Sequence, residues 1–516
     1  MALSDLGLDL RRLPAPLPIW HATVDAAAWL AAARDVVEHG GRLVAMWGVE
    51  RDAAAGGAAA ACAAFAVFEG LVWLELPVDT TRSYPDLAST FPCAGRMQRA
   101  IADLSGLRAE GAVDRRPWLD HGLWGLERAP LERDTGHPRA ENGTLPADYP
   151  FVRVEGDGVH EIAVGPVHAG TIEPGHFRFS VVGEKVLRLE ERLGYAHKGI
   201  ERRFTELLPL DAHRLAGRVS GDSTVAYAWA YCMALESAWH CSVPARAAWL
   251  RALMLERERV ANHLGDLGAL GNDVALSIGL AQFSRLREDW QRLSGEAFGH
   301  RLMMDAVAPG GVAVDPPASL LARMKRQCDD IEREVRSMRV IYDGHAGVQD
   351  RFLGAGRVAP ALAAQLGLTG LAGRASAQAF DLRSDHDWTP YDGFDVAMAT
   401  QRDGDVAARV AVRFDETFES LRLIRRLCAA MPGGATRAGL EPPATAARGA
   451  GWVEGWRGEL LVALETGADG RIVRCHCHDP SWQNWPVIEH AVMGNIVPDF
   501  PLINKSFNLS YSGHDL

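Results

Sequence analysis

The sequence predicts an α+β protein: an N-terminal α/β domain, then a larger, mainly helical domain with peripheral strands. Three observations carry this. Short apolar alternations mixed with amphipathic helices fill residues 20–110. Long apolar stripes at helical spacing dominate the middle of the chain, as a bundle core requires. A charged, Pro- and Gly-rich stretch without periodicity, residues 128–150, separates the two. The expected organisation is a first domain over 1–130, a linker over 131–150 and a second domain over 151–516.

The elements follow in order. Asp25 is placed to cap a helix whose apolar face is Trp29, Leu30, Ala33, Val36 and Val37, and Gly40 and Gly41 end it. Residues 43–47 read as a strand. Segments 65–68 and 71–76 flank Glu69-Gly70 as a hairpin. Pro92 sits near the start of a further helix that stops at Gly106. The second domain opens with strands near 152–164, and helices then dominate. One spans 244–264. Another is capped by Asp315, with Pro316 in its first turn, and carries Leu321, Met324, Cys328, Ile331, Val335, Met338 and Ile341 as a stripe. A third runs over 405–430 and stops at Pro432-Gly433-Gly434. Segments 460–465 and 471–478 flank a turn at 467–470, a second hairpin.

The chain has 516 residues, 48% hydrophobic and 23% charged, enough to bury a large core without crosslinks. Its net charge of −12 argues against nucleic acid as a partner, because phosphate binding needs basic patches. No apolar signal opens the sequence. The most apolar run, 53–68, is shorter than the about 20 residues a bilayer span takes. The expectation is a cytoplasmic protein that meets a membrane only through partners. Eight scattered cysteines form no Cys-x-x-Cys pair and read as reduced core fillers. Asn142-Gly143-Thr144 matches a glycosylation sequon by chance.

Several segments together resemble one family. Gly165-Pro166-Val167-His168 with Glu173-Pro174-Gly175-His176-Phe177 is similar to the strand motif of formate hydrogenlyase large subunits. His197-Lys198-Gly199-Ile200-Glu201 resembles a motif shared by those hydrogenases and the 49-kDa subunit of complex I. Arg218-Val219-Ser220-Gly221-Asp222-Ser223 stands where the first nickel-binding motif belongs. Asp381-Leu382-Arg383-Ser384-Asp385-His386 and Asn484-Trp485-Pro486 also match, in order, over 150–516. Residues 20–130 resemble the 30-kDa subunit of complex I, and this fusion is typical of the formate hydrogenlyase type.

The resemblance implies a subunit of a membrane-associated redox complex of the group 4 hydrogenase or NADH-quinone oxidoreductase kind. Its partners would be a small iron–sulfur subunit and antiporter-like membrane subunits, with the chain peripheral on the inner face of the membrane. Nickel–iron sites use four thiolates in two Cys-x-x-Cys pairs, because soft thiolates suit nickel. Here those positions read Ser220, Ser223, Ser510 and Gly513, and Tyr227 replaces the histidine after the first pair. Neutral hydroxyls and a glycine cannot substitute, so no directly bound metal or cofactor is expected and hydrogenase chemistry is rejected. The sequence ends three residues past Gly513, and no cleavable tail is expected.

Complex I receives a quinone in the equivalent cavity, between a His and a Tyr. Gly221 and Glu173 stand near those places, so a quinone would need other contacts. Asp222, Tyr227 and Glu173 are the candidate cavity-lining groups. Arg218, Ser220, Ser223 and Ser510 are the candidate acceptor-binding groups. A carboxylate such as Asp222 in a closed cavity is costly unless paired or functional. The competing expectation is a non-catalytic coupling subunit of an ion-pumping complex.

Other features have plainer readings. No Gly-x-Gly-x-x-Gly follows a strand, and Gly265, Gly268 and Gly271 have the wrong spacing for dinucleotide binding. The Arg474-Cys475-His476-Cys477-His478 run reads as a strand, which puts cysteines and histidines on opposite faces. His197 and Glu201 are expected on one helix face, as a buried pair or a proton relay. Glu256, Arg257, Glu258 and Arg259 read as a solvated or intersubunit face.

Overall fold

The computed structural model describes residues 3–51, 59–124, 129–131, 149–168 and 172–516. The sequon and nearly all of the 131–150 linker lie outside those residues.

The N-terminal part is built on one sheet. Its strands are β1 (Arg11–Leu13), β2 (Ile19–Thr23), β3 (Arg42–Val49), β4 (Ala60–Val67) and β5 (Gly70–Pro77), in the order β1-β2-β5-β4-β3. β2 and β5 pair in parallel and the other neighbours are antiparallel. The helix Ala26–Glu38 crosses between β2 and β3, and the Asp25 side chain accepts from the Ala28 amide at 2.8 Å. Trp29, Ala33 and Val36 bury as the stripe requires, while Val37 turns to solvent. β4 is buried at every position, so both sheet faces are covered. The helix Ala94–Ser105 packs on β3 and ends with Gly106 in the left-handed region.

The C-terminal part has a helical core. Its long helices are Thr224–Ala238, Ala245–Asp273, Ser277–Phe298, Ala318–Gly344 and Val406–Ala430. Asp405 caps the last of these, accepting from Ala408 N at 2.8 Å. Beside them lies an antiparallel sheet of Ala447–Glu454, Glu459–Thr466 and Ile472–His478. The Thr224–Ala238 helix, buried all round, lies directly on the first of these strands. The contact needs glycine: a Cβ at Gly451 would sit 1.9 Å from the Ala230 carbonyl oxygen. A second antiparallel sheet, Val159–Val164, His176–Val182 and Lys185–Arg192, carries the strand motif read from sequence.

Four expectations are corrected. Asp315 does not cap the following helix, which begins at Ala318 after Pro317; it forms an ion pair with Arg246 instead. In that helix Ile341 is half-exposed and Tyr342 takes the buried position. His197 precedes the short helix Ile200–Phe204, so it shares no helix face with Glu201. His197 meets the Asp515 carbonyl at 2.9 Å, while Glu201 is buried against Arg474 and His476. The fourth concerns residues 256–259, which are fully interior on the Ala245–Asp273 helix rather than solvated. Gly265, Gly268 and Gly271 lie within that same helix and form no phosphate loop.

Burying so many charges works because they satisfy one another. Arg383 bridges Asp381 at 2.6 Å and Glu256 at 3.0 Å, and Tyr391 and Ser420 also donate to Glu256. Arg374 joins Glu416 at 2.7 Å and Glu454 at 2.9 Å, and His263 meets Glu416 at 2.8 Å. This network ties the Ala245–Asp273 and Val406–Ala430 helices to the sheet at Glu454. Replacing Arg383 leaves Glu256 and Asp381 in a dry interior with only the longer cation contacts to Arg259, 3.4 Å, and Arg374, 3.8 Å. Arg383→Met is therefore expected to cost about 3–5 kcal/mol of stability, measured by denaturant unfolding; a loss below about 1 kcal/mol would contradict this account of the core.

A pocket built where four ligand positions meet

Two loops meet at the centre of the C-terminal part. The first is Ser220–Ser223, whose last three residues form a single turn that leads into the Thr224–Ala238 helix. The second is the 508–513 segment, where Asn508 ends the Phe500–Phe507 helix in the left-handed region. Ser510 and Ser220 lie 3.0 Å apart through their hydroxyls. Ser510 is fixed from both sides. Its amide donates to the Ser481 hydroxyl at 2.9 Å, its carbonyl accepts from Trp485 Nε1 at 3.1 Å, and its hydroxyl caps Gly513 N at 2.9 Å.

The group that organises the site was not singled out in the sequence. Arg457 lies on the turn between two strands and is only 6% exposed. Its guanidinium forks onto Asp222, Nη1 to Oδ1 at 2.9 Å and Nη2 to Oδ2 at 2.5 Å. Nη1 also donates to the Ser223 hydroxyl at 3.2 Å, and Nε donates to the Asn508 carbonyl at 2.5 Å. One cation thus joins both loops. Its turn is pinned by Gly370 at φ 63°, where a Cβ would lie 1.8 Å from the Arg457 carbonyl oxygen. The Arg457 guanidinium stacks over Trp456, whose indole donates to the Asp222 carbonyl at 2.9 Å.

The expected site residues divide clearly. Ser220, Ser223, Ser510 and Asp222 come together, with Ser220 donating to Asp222 at 2.7 Å. Asp222 keeps a side chain 34% exposed, so the ion pair sits at the floor of an opening rather than in a sealed core. Partial burial pushes its carboxyl up, and the Arg457 charge and hydrogen bonds outweigh that and hold it below the usual carboxylate range. Tyr227 is buried one layer behind, donating to Asp479 at 2.8 Å; burial and that carboxylate raise its phenol well above normal. Glu173 does not reach Asp222. It is exposed and accepts from the Ser512 amide and hydroxyl at 3.1 and 3.3 Å. Arg218 does not shape the pocket either. Its guanidinium points outward to Asp305 at 2.6 and 2.8 Å.

The Arg474–His478 strand behaves as its alternation implies. His476 bonds Glu201 at 2.6 Å, His478 bonds Gln483 at 2.9 Å, and Cys475 and Cys477 are buried.

The donor set does not fit a nickel–iron group. The Ser220 and Ser510 hydroxyls bond each other, Ser220 donates to Asp222 and Ser223 accepts from Arg457, so a cation lies where thiolates would need to hold metal. Gly513 has no side chain to offer, and a Cβ there would meet Asp479 Oδ2 at 2.5 Å and Ser510 Oγ at 2.9 Å. Asp479 has little freedom to yield, since Tyr227 and the Ser481 amide hold its two oxygens.

A second missed group is Glu258. Its carboxylate accepts from the amides of Val225 and Ala226, at 2.7 and 3.2 Å, at the start of the helix that follows Ser223. Among the described residues it has no ion-pair partner. Burial, with Asp222 adding to it, pushes the carboxyl up to about 8 despite the two amide bonds.

The helical core, the paired loops and the appended sheet domain define a large subunit of the hydrogenase and complex I class. Family models agree. Residues 22–141 match the respiratory-chain NADH dehydrogenase 30 Kd subunit and residues 273–450 match its 49 Kd subunit. The chain is 33% identical to the carbon monoxide-induced hydrogenase of Rhodospirillum rubrum, over 68% of this chain and 97% of that one. It is 29% identical to formate hydrogenlyase subunit 5 of Escherichia coli K12, over 86% and 79% of the two. A solved chain of the archaeal membrane-bound sulfane sulfur reductase superposes with a TM-score of 0.65 at 23% identity, covering 70% of this chain and 99% of that one. The chain belongs to the family of fused 30-kDa-type and 49-kDa-type subunits shared by respiratory NADH dehydrogenases and related hydrogenases.

Glu258 gives a test of these electrostatics. A carboxyl whose folded pKa lies above its unfolded value favours folding only while protonated. Its destabilising effect is absent below the ordinary glutamate value of 4.5 and grows until the pH passes about 8. Glu258→Gln removes that dependence. The variant is expected to match the parent near pH 5 and to exceed its stability at pH 8.5 by on the order of a few kcal/mol, read from urea midpoints. Equal midpoints at both pH values would contradict it.

Proposed function

We propose that the chain is the large electron-transferring subunit of a membrane-associated oxidoreductase complex that has no nickel–iron centre. Electrons come from an iron–sulfur subunit beside it and pass to a quinone or similar small acceptor at the Asp222 end of the former metal cavity. Antiporter-like membrane subunits complete the complex, and the chain is peripheral to the cytoplasmic face. No helix of the described residues is long and apolar enough to cross a membrane, in keeping with attachment through partners.

One observation carries the reading. The Arg457–Asp222 pair joins both former ligand loops and remains open to solvent on the Asp222 side. A decayed site would leave unpaired polar groups or an apolar fill. This one holds a preorganised cation, three hydroxyls and a carboxylate that can orient an acceptor and exchange protons with it. The mutual saturation of Ser220, Ser510 and Asp222 also favours a second reading, a coupling subunit in which the lock only fastens two loops.

The two readings separate in the purified native complex, reduced with dithionite. Oxidation by decylubiquinone or by a small acceptor, slowed about tenfold or more in Asp222→Ala, is the expected result. If no added acceptor reoxidises the complex and Asp222→Ala alters only stability, the coupling reading stands instead.

A further inference from the structure

The seam between the N-terminal and C-terminal parts holds a cavity of about 20 Å³, room for one or two water molecules. The helix Ala94–Ser105 and strand β3 line it from one side, and the strand Ile472–His478 with Trp482 lines it from the other. Much of the wall is apolar, with Met97, Ile101 and Leu104 on it. Three polar atoms of lining residues have no hydrogen-bond partner among the described residues: Ser105 Oγ, His476 Nε2 and Trp482 Nε1. These residues are 1%, 7% and 4% exposed, so bulk solvent does not satisfy them. A buried polar group left unpaired is costly, and such groups in a native fold are rare.

Ser105 comes from the N-terminal part, His476 and Trp482 from the C-terminal part. Gly48 lets the serine stand close to the seam. A Cβ there would lie 2.6 Å from Ser105 Oγ, and the Gly48 carbonyl accepts from Arg474 Nε at 2.8 Å. Partners also fix the proton on His476. Burial raises the Glu201 carboxyl, but Arg474 outweighs it and holds the group ionised, at about 2. An ionised carboxylate only accepts, so His476 Nδ1 donates to Glu201 at 2.6 Å. Burial pulls the imidazole below its ordinary pKa despite Glu201, so the ring is neutral at pH 7. Nε2 is then a bare acceptor. Trp47 lies flat against this ring, centroids 4.9 Å apart.

Trp482 Nε1 can only donate, and the Ser105 hydroxyl can donate or accept. An ion of one sign would satisfy the acceptor or the donor and leave the other bare. Water satisfies both: it accepts from Trp482, donates to His476 and bonds Ser105 either way. We infer that this cavity holds ordered water, one molecule or a linked pair, bonded to Ser105, His476 and Trp482, and that this water ties the two parts of the chain together across an apolar stretch of their seam. The inference does not rest on the function proposed above.

The test is a density map of the intact native complex, at a resolution that shows ordered water, recorded with and without xenon under pressure. The expected map has a water peak about 2.7–3.2 Å from His476 Nε2, bonded directly or through a second water to Ser105 Oγ and Trp482 Nε1. No xenon enters, because xenon fills dry apolar cavities. The double variant Ser105→Ala, Trp482→Phe keeps the apolar bulk and removes two of the three partners. It is expected to lose the water peak, since a buried water needs two to four polar partners. A dry cavity in the parent, xenon bound in it, or a direct bond from Ser105 or Trp482 to His476 overturns the site. So does a peak unchanged in the double variant. If that variant does not fold, the parent map and its xenon result decide alone.

Discussion

Arg457 is the group on which the functional centre depends. A buried guanidinium must find acceptors for its donors, and here they come from both loops that face each other: Asp222 and Ser223 on one side, the Asn508 carbonyl on the other. The loops are fixed to each other by charge and hydrogen bonds. The position of the cation is set in turn by backbone. Gly370 and Gly458 approach so closely that no side chain fits between the two turns. A steric constraint thus places a charge, and the charge assembles the site.

Around that centre the protein buries an uncommon amount of charge. The Glu256–Arg383–Asp381 and Arg374–Glu416–His263 clusters share the interior with the apolar core. Such networks add little net stability compared with apolar packing, but they are intolerant of partial removal. Their value is geometric. They hold the Ala245–Asp273 helix, which carries Glu258 to the Val225 and Ala226 amides, in one register against the sheet that carries Arg457. Glu258, without an ion-pair partner among the described residues, lies beside the Asp222 turn and accepts from the Val225 and Ala226 amides.

Much of the architecture was legible in the sequence. Asp25 capped its helix, the helix expected over 405–430 formed over Val406–Ala430, the Glu69–Gly70 turn joined two strands, and the alternation of residues 471–478 gave a strand. The convergence of Ser220, Ser223, Ser510 and Gly513 followed from motif order. What periodicity could not show was which charged residues turn inward. Glu256 to Arg259 look like a solvated run because their partners, Arg383, Glu416 and Glu454, are distant in sequence. Arg218 was named and Arg457 was not for the same reason: adjacency to Ser220 is visible in a sequence, and a strand turn that folds back on it is not. The Gly455-Trp456-Arg457-Gly458 turn was the available signal, an arginine held between two glycines.

The central claim is that an ion pair and three hydroxyls occupy the place where relatives of the hydrogenase kind would hold a metal. The most direct measurement is the nickel and iron content of the purified native complex, per copy of this chain. The account predicts no stoichiometric nickel, and iron only in the amount carried by partner clusters. One nickel per chain would contradict it.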